Sequence, residues 1–164
     1  MNKKLLIGVI VGCAAIFVAA AIYAATVPDV IKLKDPAYKE YTKGPVEFHH
    51  GKHSKEYAKE YPDLYKNGCG ECHHDKDNKP LTHLKEGDPV QKCIECHKKP
   101  GEVPKDLKNK WREQKVKSAE KKKMELEYHA EALHENCRSC HKEFNKKYKP
   151  KKAPTTCTKC HAKK

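Results

Sequence analysis

The pattern Cys-x-x-Cys-His occurs four times in this 164-residue chain, and it limits the possible folds more than any other feature. The short spacing puts both sulfurs on one side of a turn, with histidine directly after them. This pattern is typical of a covalently attached c-type haem, whose vinyl groups form thioethers with the two thiols while the histidine binds the iron. The units are Cys69-Gly-Glu-Cys72-His73, Cys93-Ile-Glu-Cys96-His97, Cys137-Arg-Ser-Cys140-His141 and Cys157-Thr-Lys-Cys160-His161.

Zinc binding is the main alternative for paired cysteines, since two such pairs can complete one tetrahedral site. It does not explain why histidine follows the second cysteine in all four units. Disulfides are disfavoured because eight of the nine cysteines belong to the units and only Cys13 is left over. We therefore expect four covalently bound haem c groups.

The composition predicts that side chains alone supply little hydrophobic core. Charged residues make up 35% of the chain and aromatic residues 7%, a balance typical of weak cores. Four covalently held porphyrins would act as staples and fill that core. The formal net charge of +13 is partly offset by the haem propionates, so nucleic-acid binding is not expected.

Residues 1–25 have the pattern of a secretory signal, with two lysines, an uninterrupted apolar run and small residues at its end. The run is also long enough to span a bilayer as an uncleaved anchor. We favour cleavage near Ala24 or Ala25, with a lipid anchor at Cys13 as a third alternative. Whether the leader is cleaved or kept as an anchor, residues 26–164 are expected to form an exported domain in the periplasm. That domain would contact the membrane only through an uncleaved leader.

After the leader, the pattern predicts a mostly α protein with a small N-terminal β-hairpin and little regular structure. Residues 30–33 and 45–48 are strand-like, and the polar, turn-rich residues 74–92 are predicted to form a loop. Residues 106–135 are predicted to form one long charged helix, with Asp106 as its N-cap.

The histidines outside the four units decide what the haem irons can do. A second histidine on an iron leaves mainly electron transfer, whereas an open position permits catalysis on small molecules. Four more ligands are needed and seven histidines remain, so the supply is ample. They are His49, His50, His53, His74, His83, His129 and His134.

The run Val46-x-Phe48-x-His50-x-x-His53, followed by Cys69-x-x-Cys72-His73-His74, resembles the class III cytochromes c, the tetrahaem cytochrome c3 family. The resemblance covers about residues 30–161. Two departures stand out: all four units have the same cysteine spacing, and the segment between the second and third units is long. The resemblance implies a multihaem cytochrome c3-like fold built around four covalent haems.

The resemblance also implies the second ligand of each iron. His50 is implied for the first haem, His74 for the second and His53 for the third. His134 is implied for the fourth, with His129 as the alternative. His49 and His83 are expected to be non-ligands, although His49 stays the alternative to His50. The other iron ligands are the histidines of the units, His73, His97, His141 and His161.

A non-enzymatic, low-potential electron carrier is the function that the resemblance implies. Its implied partners are periplasmic hydrogenase or formate dehydrogenase and membrane-bound redox complexes. A membrane-anchored tetrahaem quinol dehydrogenase is the alternative; the long segment before the first unit argues against it. A multihaem reductase with an open iron is disfavoured by the surplus histidines.

Lysines are concentrated in two parts of the chain. The run 115–123 is expected to be mainly a solvated face. A second group surrounds the fourth unit and forms either a docking patch for an acidic partner or another solvated face. Its members are Lys142, Lys146, Lys147, Lys149, Lys151, Lys152, Lys159, Lys163 and Lys164.

Overall fold

The structure, a computed structural model, describes residues 27–161. The predicted leader, residues 1–25, and the last two lysines lie outside the described residues. Between residues 27 and 161, no helix is both long enough and apolar enough to cross a membrane.

Two short strands form the predicted hairpin. Strand β1 (Ile31–Leu33) pairs antiparallel with β2 (Val46–Phe48), and Ile31 lies opposite Phe48. In the connection, the backbone N–H of Asp35 donates to the Tyr41 hydroxyl at 2.6 Å, and that hydroxyl donates to the Asp35 carbonyl at 2.7 Å. The hairpin thus ends at Phe48, directly before the histidine-rich segment.

The rest of the described chain is helical or irregular, so the predicted fold class is confirmed. A π-helical segment (Lys52–Tyr57) continues as α1 (Ala58–Glu60) and stops before Pro62, whose ring cannot continue a helix. Short 3₁₀ turns follow at Pro62–Leu64 and Gly68–Glu71. The remaining helices are α2 (Cys93–Cys96), α3 (Lys105–Glu113), α4 (Ser118–Glu125), α5 (His129–Lys147) and α6 (Cys157–Cys160).

The prediction of one continuous helix over residues 106–135 is wrong, because the segment is broken twice. At the first break Lys115 has a φ of +52°. Its N–H donates to the Arg112 carbonyl, and the N–H of Val116 donates to the Trp111 carbonyl, both at 3.0 Å. These two bonds form a Schellman motif, which closes a helix through a left-handed residue. Lysine occupies the position where glycine is usual, so the sequence did not indicate a stop.

The second break lets the chain pair with the residues that follow the second cysteine unit. The N–H of Lys99 donates to the Glu127 carbonyl at 3.0 Å, and the N–H of His129 donates back to the Lys99 carbonyl at 2.8 Å. The predicted N-cap is also wrong. Pro104 occupies that position, and Asp106 lies within the first turn of α3, where its charge favours the helix dipole.

The described residues bury few apolar side chains. Five are buried, at 4 to 9% exposure, and within this part of the chain none is completely enclosed. They are Tyr61, Leu64, Val103, Trp111 and Ala132. The prediction from composition, that side chains alone supply little core, agrees with this.

The left-handed lysine gives a stability prediction. We expect Lys115→Gly to raise the free energy of unfolding by about 1 kcal/mol relative to Lys115→Ala, because only glycine adopts this φ without steric strain. Thermal unfolding of the two variants measures the difference. Since both lack the lysine charge, the comparison removes its interaction with the helix dipole. Equal midpoints would contradict the prediction.

Candidate haem-binding site

The four cysteine units share one local geometry. In three of them the N–H of the histidine donates to the carbonyl of the first cysteine, from His73 at 3.0 Å, from His97 at 2.9 Å and from His161 at 2.8 Å. The remaining unit, Cys137 to His141, lies within α5. Each unit is therefore one helical turn, which holds the histidine beside its cysteines, as covalent haem attachment requires.

The described residues offer free thiols for thioether formation and no assembled zinc site. All eight cysteines of the units are free of disulfides. Burial raises the pKa of Cys72 to about 12 and also raises the pKa values of Cys93 and Cys137. A raised pKa keeps these thiols protonated at neutral pH. Within residues 27–161, no group of three or more His, Cys, Asp or Glu side chains could hold a metal ion.

Three of the unit histidines face a second imidazole at nearly the same distance. Two imidazoles on one iron, each bonded at about 2 Å, place their ring centroids about 6 Å apart. The measured centroid separations are 6.0 Å for His74 and His97, 6.2 Å for His53 and His141, and 6.2 Å for His134 and His161. The separations fit a pair of histidines binding one haem iron.

His73, the remaining unit histidine, has His50 and His74 as nearby imidazoles. Burial lowers the pKa of His73, and the nearby His50 lowers it further. The Phe48 ring lies 5.9 Å from His50 and 4.7 Å from His53, centroid to centroid, so it packs against both. His49 is exposed, and its carbonyl accepts from the N–H of His53 at 3.2 Å. The structure thus brings His50 near His73.

Backbone carbonyls orient five of the facing histidines. A carbonyl only accepts, so Nδ1 must carry the proton, which leaves the Nε2 lone pair for an iron. The Nδ1 of His53 donates to the His49 carbonyl at 2.9 Å, and that of His74 donates to the Asp75 carbonyl at 2.8 Å. The Nδ1 of His141 donates to the Pro154 carbonyl at 2.6 Å, and that of His161 donates to the Gly44 carbonyl at 2.7 Å. His97 donates in the same way to the Leu126 carbonyl. Sequence reasoning missed these acceptors, because any residue type supplies a carbonyl.

His129 and His134 have different surroundings. His134 faces His161, as described above, and its Nδ1 lies 3.6 Å from a carboxylate oxygen of Glu102. His129 is buried, its Nδ1 lies 2.8 Å from the Tyr38 hydroxyl, and burial lowers its pKa. The structure therefore brings His134, and not His129, opposite the histidine of the fourth unit. His83, which together with His49 was expected to be a non-ligand, is exposed in the loop of residues 74–92.

Two lysines of the predicted docking patch bind acidic residues elsewhere in the fold. Lys147 pairs with Asp63, and Lys151 pairs with Glu60 at 2.7 Å. These bonds attach the end of α5 and the chain after it to residues 58–64. The other described lysines of the patch are exposed and form no ion pair with a described residue. They are Lys142, Lys146, Lys149, Lys152 and Lys159.

A mostly helical chain with repeated haem-attachment turns and facing imidazoles defines a c-type cytochrome. The family model for the class III cytochrome c family matches residues 28–161, and the chain belongs to that family. The resemblance seen in the sequence is thereby confirmed. Comparisons with curated proteins and with solved structures gave no match. The family binds covalent haem c, which makes this protein a multihaem electron carrier.

Proposed function

We propose that this protein is a tetrahaem, low-potential electron carrier of the periplasm with two histidines on every iron. Its proposed partners are periplasmic oxidoreductases, such as hydrogenase or formate dehydrogenase, and membrane redox complexes. One observation carries the proposal: three histidines of the cysteine units face a second histidine at 6.0 to 6.2 Å. Class III cytochromes are typically periplasmic, which supports the location.

The chain would hold four haems through sixteen side chains. The thioether residues would be Cys69, Cys72, Cys93, Cys96, Cys137, Cys140, Cys157 and Cys160. The iron ligands would be the pairs His50 with His73, His74 with His97, His53 with His141 and His134 with His161. His73 and His74 are adjacent, so two neighbouring haems would share one short segment of backbone.

When bound, each haem supplies an iron that takes up and releases one electron. The second histidine of each pair would occupy the position at which a small molecule could otherwise bind. For five of the eight histidines, a carbonyl that accepts from Nδ1 would hold the ring in place and increase its basicity, which favours the oxidised iron. Paired imidazoles and an exposed, polar surround both support a low reduction potential.

Haem counting on the purified protein tests the proposal. We expect the intact mass to include four covalent haems, the spectrum to be entirely low-spin, and the reduced protein not to bind carbon monoxide at neutral pH. Fewer than four haems, or a high-spin fraction, would contradict the proposal. The same mass measurement gives the mature N-terminus and so distinguishes a cleaved leader from a retained anchor.

A further inference from the structure

Helices α3 and α4 meet at a basic groove, defined by the cationic side chains Lys108, Arg112, Lys115 and Lys121. The groove has a volume of about 360 Å³. Asn109, Trp111 and Val116 complete its lining. Trp111 is buried and gives the groove an apolar side beside its cationic side chains.

The helices around the groove carry excess positive charge. Residues 105–125 contain nine lysines or arginines against four acidic residues. The exposed acidic residues among them are Asp106, Glu113 and Glu120. Six cations are exposed and form no ion pair with any described residue. They are Lys105, Lys110, Arg112, Lys115, Lys117 and Lys123.

Two lysines of the same helices, one of them the groove residue Lys108, form ion pairs that attach the groove to α5. Lys108 pairs with Glu131 at 2.7 Å, and Lys122 pairs with Glu135 at 2.6 Å. His134 lies between those two glutamates in sequence. Leu126, which follows α4, supplies the carbonyl for His97. The groove helices are therefore ion-paired to α5, which carries His134, and the residue after α4 accepts from His97, so a protein bound at the groove would lie one contact away from two of the proposed iron ligands.

Lys115 itself is a second reason to regard the groove as functional. It adopts a left-handed conformation that glycine adopts without strain. Residues kept in such conformations are often found at functional sites. A cation here also interacts with the C-terminal end of the α3 dipole, which is a purely structural explanation. The two explanations differ in what happens to binding when the charge is removed.

We propose that the basic groove docks the carboxylate-rich surface of an acidic redox protein, an inference that rests on the electron-carrier function proposed above. Acidic residues interspersed among the cations suit the mixed charge of a protein surface. A nucleic acid would favour a continuous cationic face. Charge attraction of this kind mainly accelerates association.

The test compares two triple variants that change the net charge equally. One is Arg112→Gln, Lys115→Gln and Lys117→Gln beside the groove. The matched control is Lys142→Gln, Lys146→Gln and Lys152→Gln in the C-terminal lysine group. The probe is a reduced plant-type [2Fe–2S] ferredoxin, an acidic one-electron donor. Stopped-flow absorbance gives the bimolecular rate constant, and calorimetry with the oxidised probe gives Kd.

We expect the groove variant to lose roughly tenfold in rate constant at low ionic strength and to bind the probe more weakly, with the difference vanishing at high salt. The control variant should lose clearly less. Equal losses in both variants would show that net charge alone matters and would overturn the proposal. An unchanged groove variant would overturn it as well.

Single substitutions at Lys115 distinguish a role in binding from a purely structural role of this residue. Lys115→Arg should keep the rate of the parent protein, whereas Lys115→Gly should react more slowly although it relieves the backbone strain. A parent protein that exchanges no electrons with the probe, or holds fewer than four haems, would instead contradict the proposed electron-carrier function. The two failures are thus distinguishable.

Discussion

Replacing His134 by alanine will open one haem iron to carbon monoxide. His134 faces His161 at 6.2 Å, the separation expected for two imidazoles on one iron. Without it, that iron keeps His161 alone and becomes high-spin. We expect about one quarter of the haem to bind carbon monoxide after reduction. Difference spectroscopy measures the fraction, and haem content must match that of the parent protein.

His129→Ala is the matched control, because it removes the alternative ligand from the same helix. His129 is buried against Tyr38, so its loss should lower stability without opening an iron. Carbon monoxide binding in the His129 variant, with none in the His134 variant, would reverse the assignment. Binding in neither variant would mean that a different residue closes the fourth iron.

The cysteine units and the hairpin were predictable because their signals are local. A Cys-x-x-Cys-His turn needs only its own backbone bonds, such as the one from His97 to Cys93. The hairpin follows from two short strand-like runs with turn residues between them. The choice between His129 and His134 depended on family resemblance, since sequence position alone does not show which ring faces His161.

The second helix break and three of the five carbonyl acceptors could not be predicted, because they depend on contacts distant in sequence. Leu126 accepts from His97, and Glu127 accepts from Lys99, only after the chain has folded back. Nothing in the residue types there indicates an end to the helix. Lysine at position 115 even argues against a stop, since glycine usually occupies that position.

The C-terminal lysines show a similar limit. Their sequence pattern fits a docking patch and a solvated face equally well. The structure shows a third use for two of them, since Lys147 and Lys151 pair with Asp63 and Glu60. Ion pairs between segments this far apart in the chain have no signature in local charge patterning. These two lysines of the predicted patch therefore attach the C-terminal segment to residues 58–64.

Preventing haem attachment will leave the cytochrome domain largely unfolded. The variant replaces all eight cysteines of the units by alanine. Five apolar side chains are buried in the described residues, and none of these is completely enclosed. So small a core cannot offset backbone entropy of about 1–2 kcal/mol per residue. Even α5, with 19 residues, depends on tertiary packing for most of its stability.

Far-ultraviolet circular dichroism and amide dispersion in NMR spectra measure this loss. We expect low helicity and collapsed amide dispersion in the variant, and no cooperative thermal transition. The parent protein, with all eight cysteines of the units, is the control and is prepared in the same way. Cys157→Ala with Cys160→Ala should give an intermediate result, since it removes only the haem unit at the C-terminal end. Native helicity in the eightfold variant would show that side-chain packing alone stabilises the fold. The haems would then bind to a preformed fold and would not form its core.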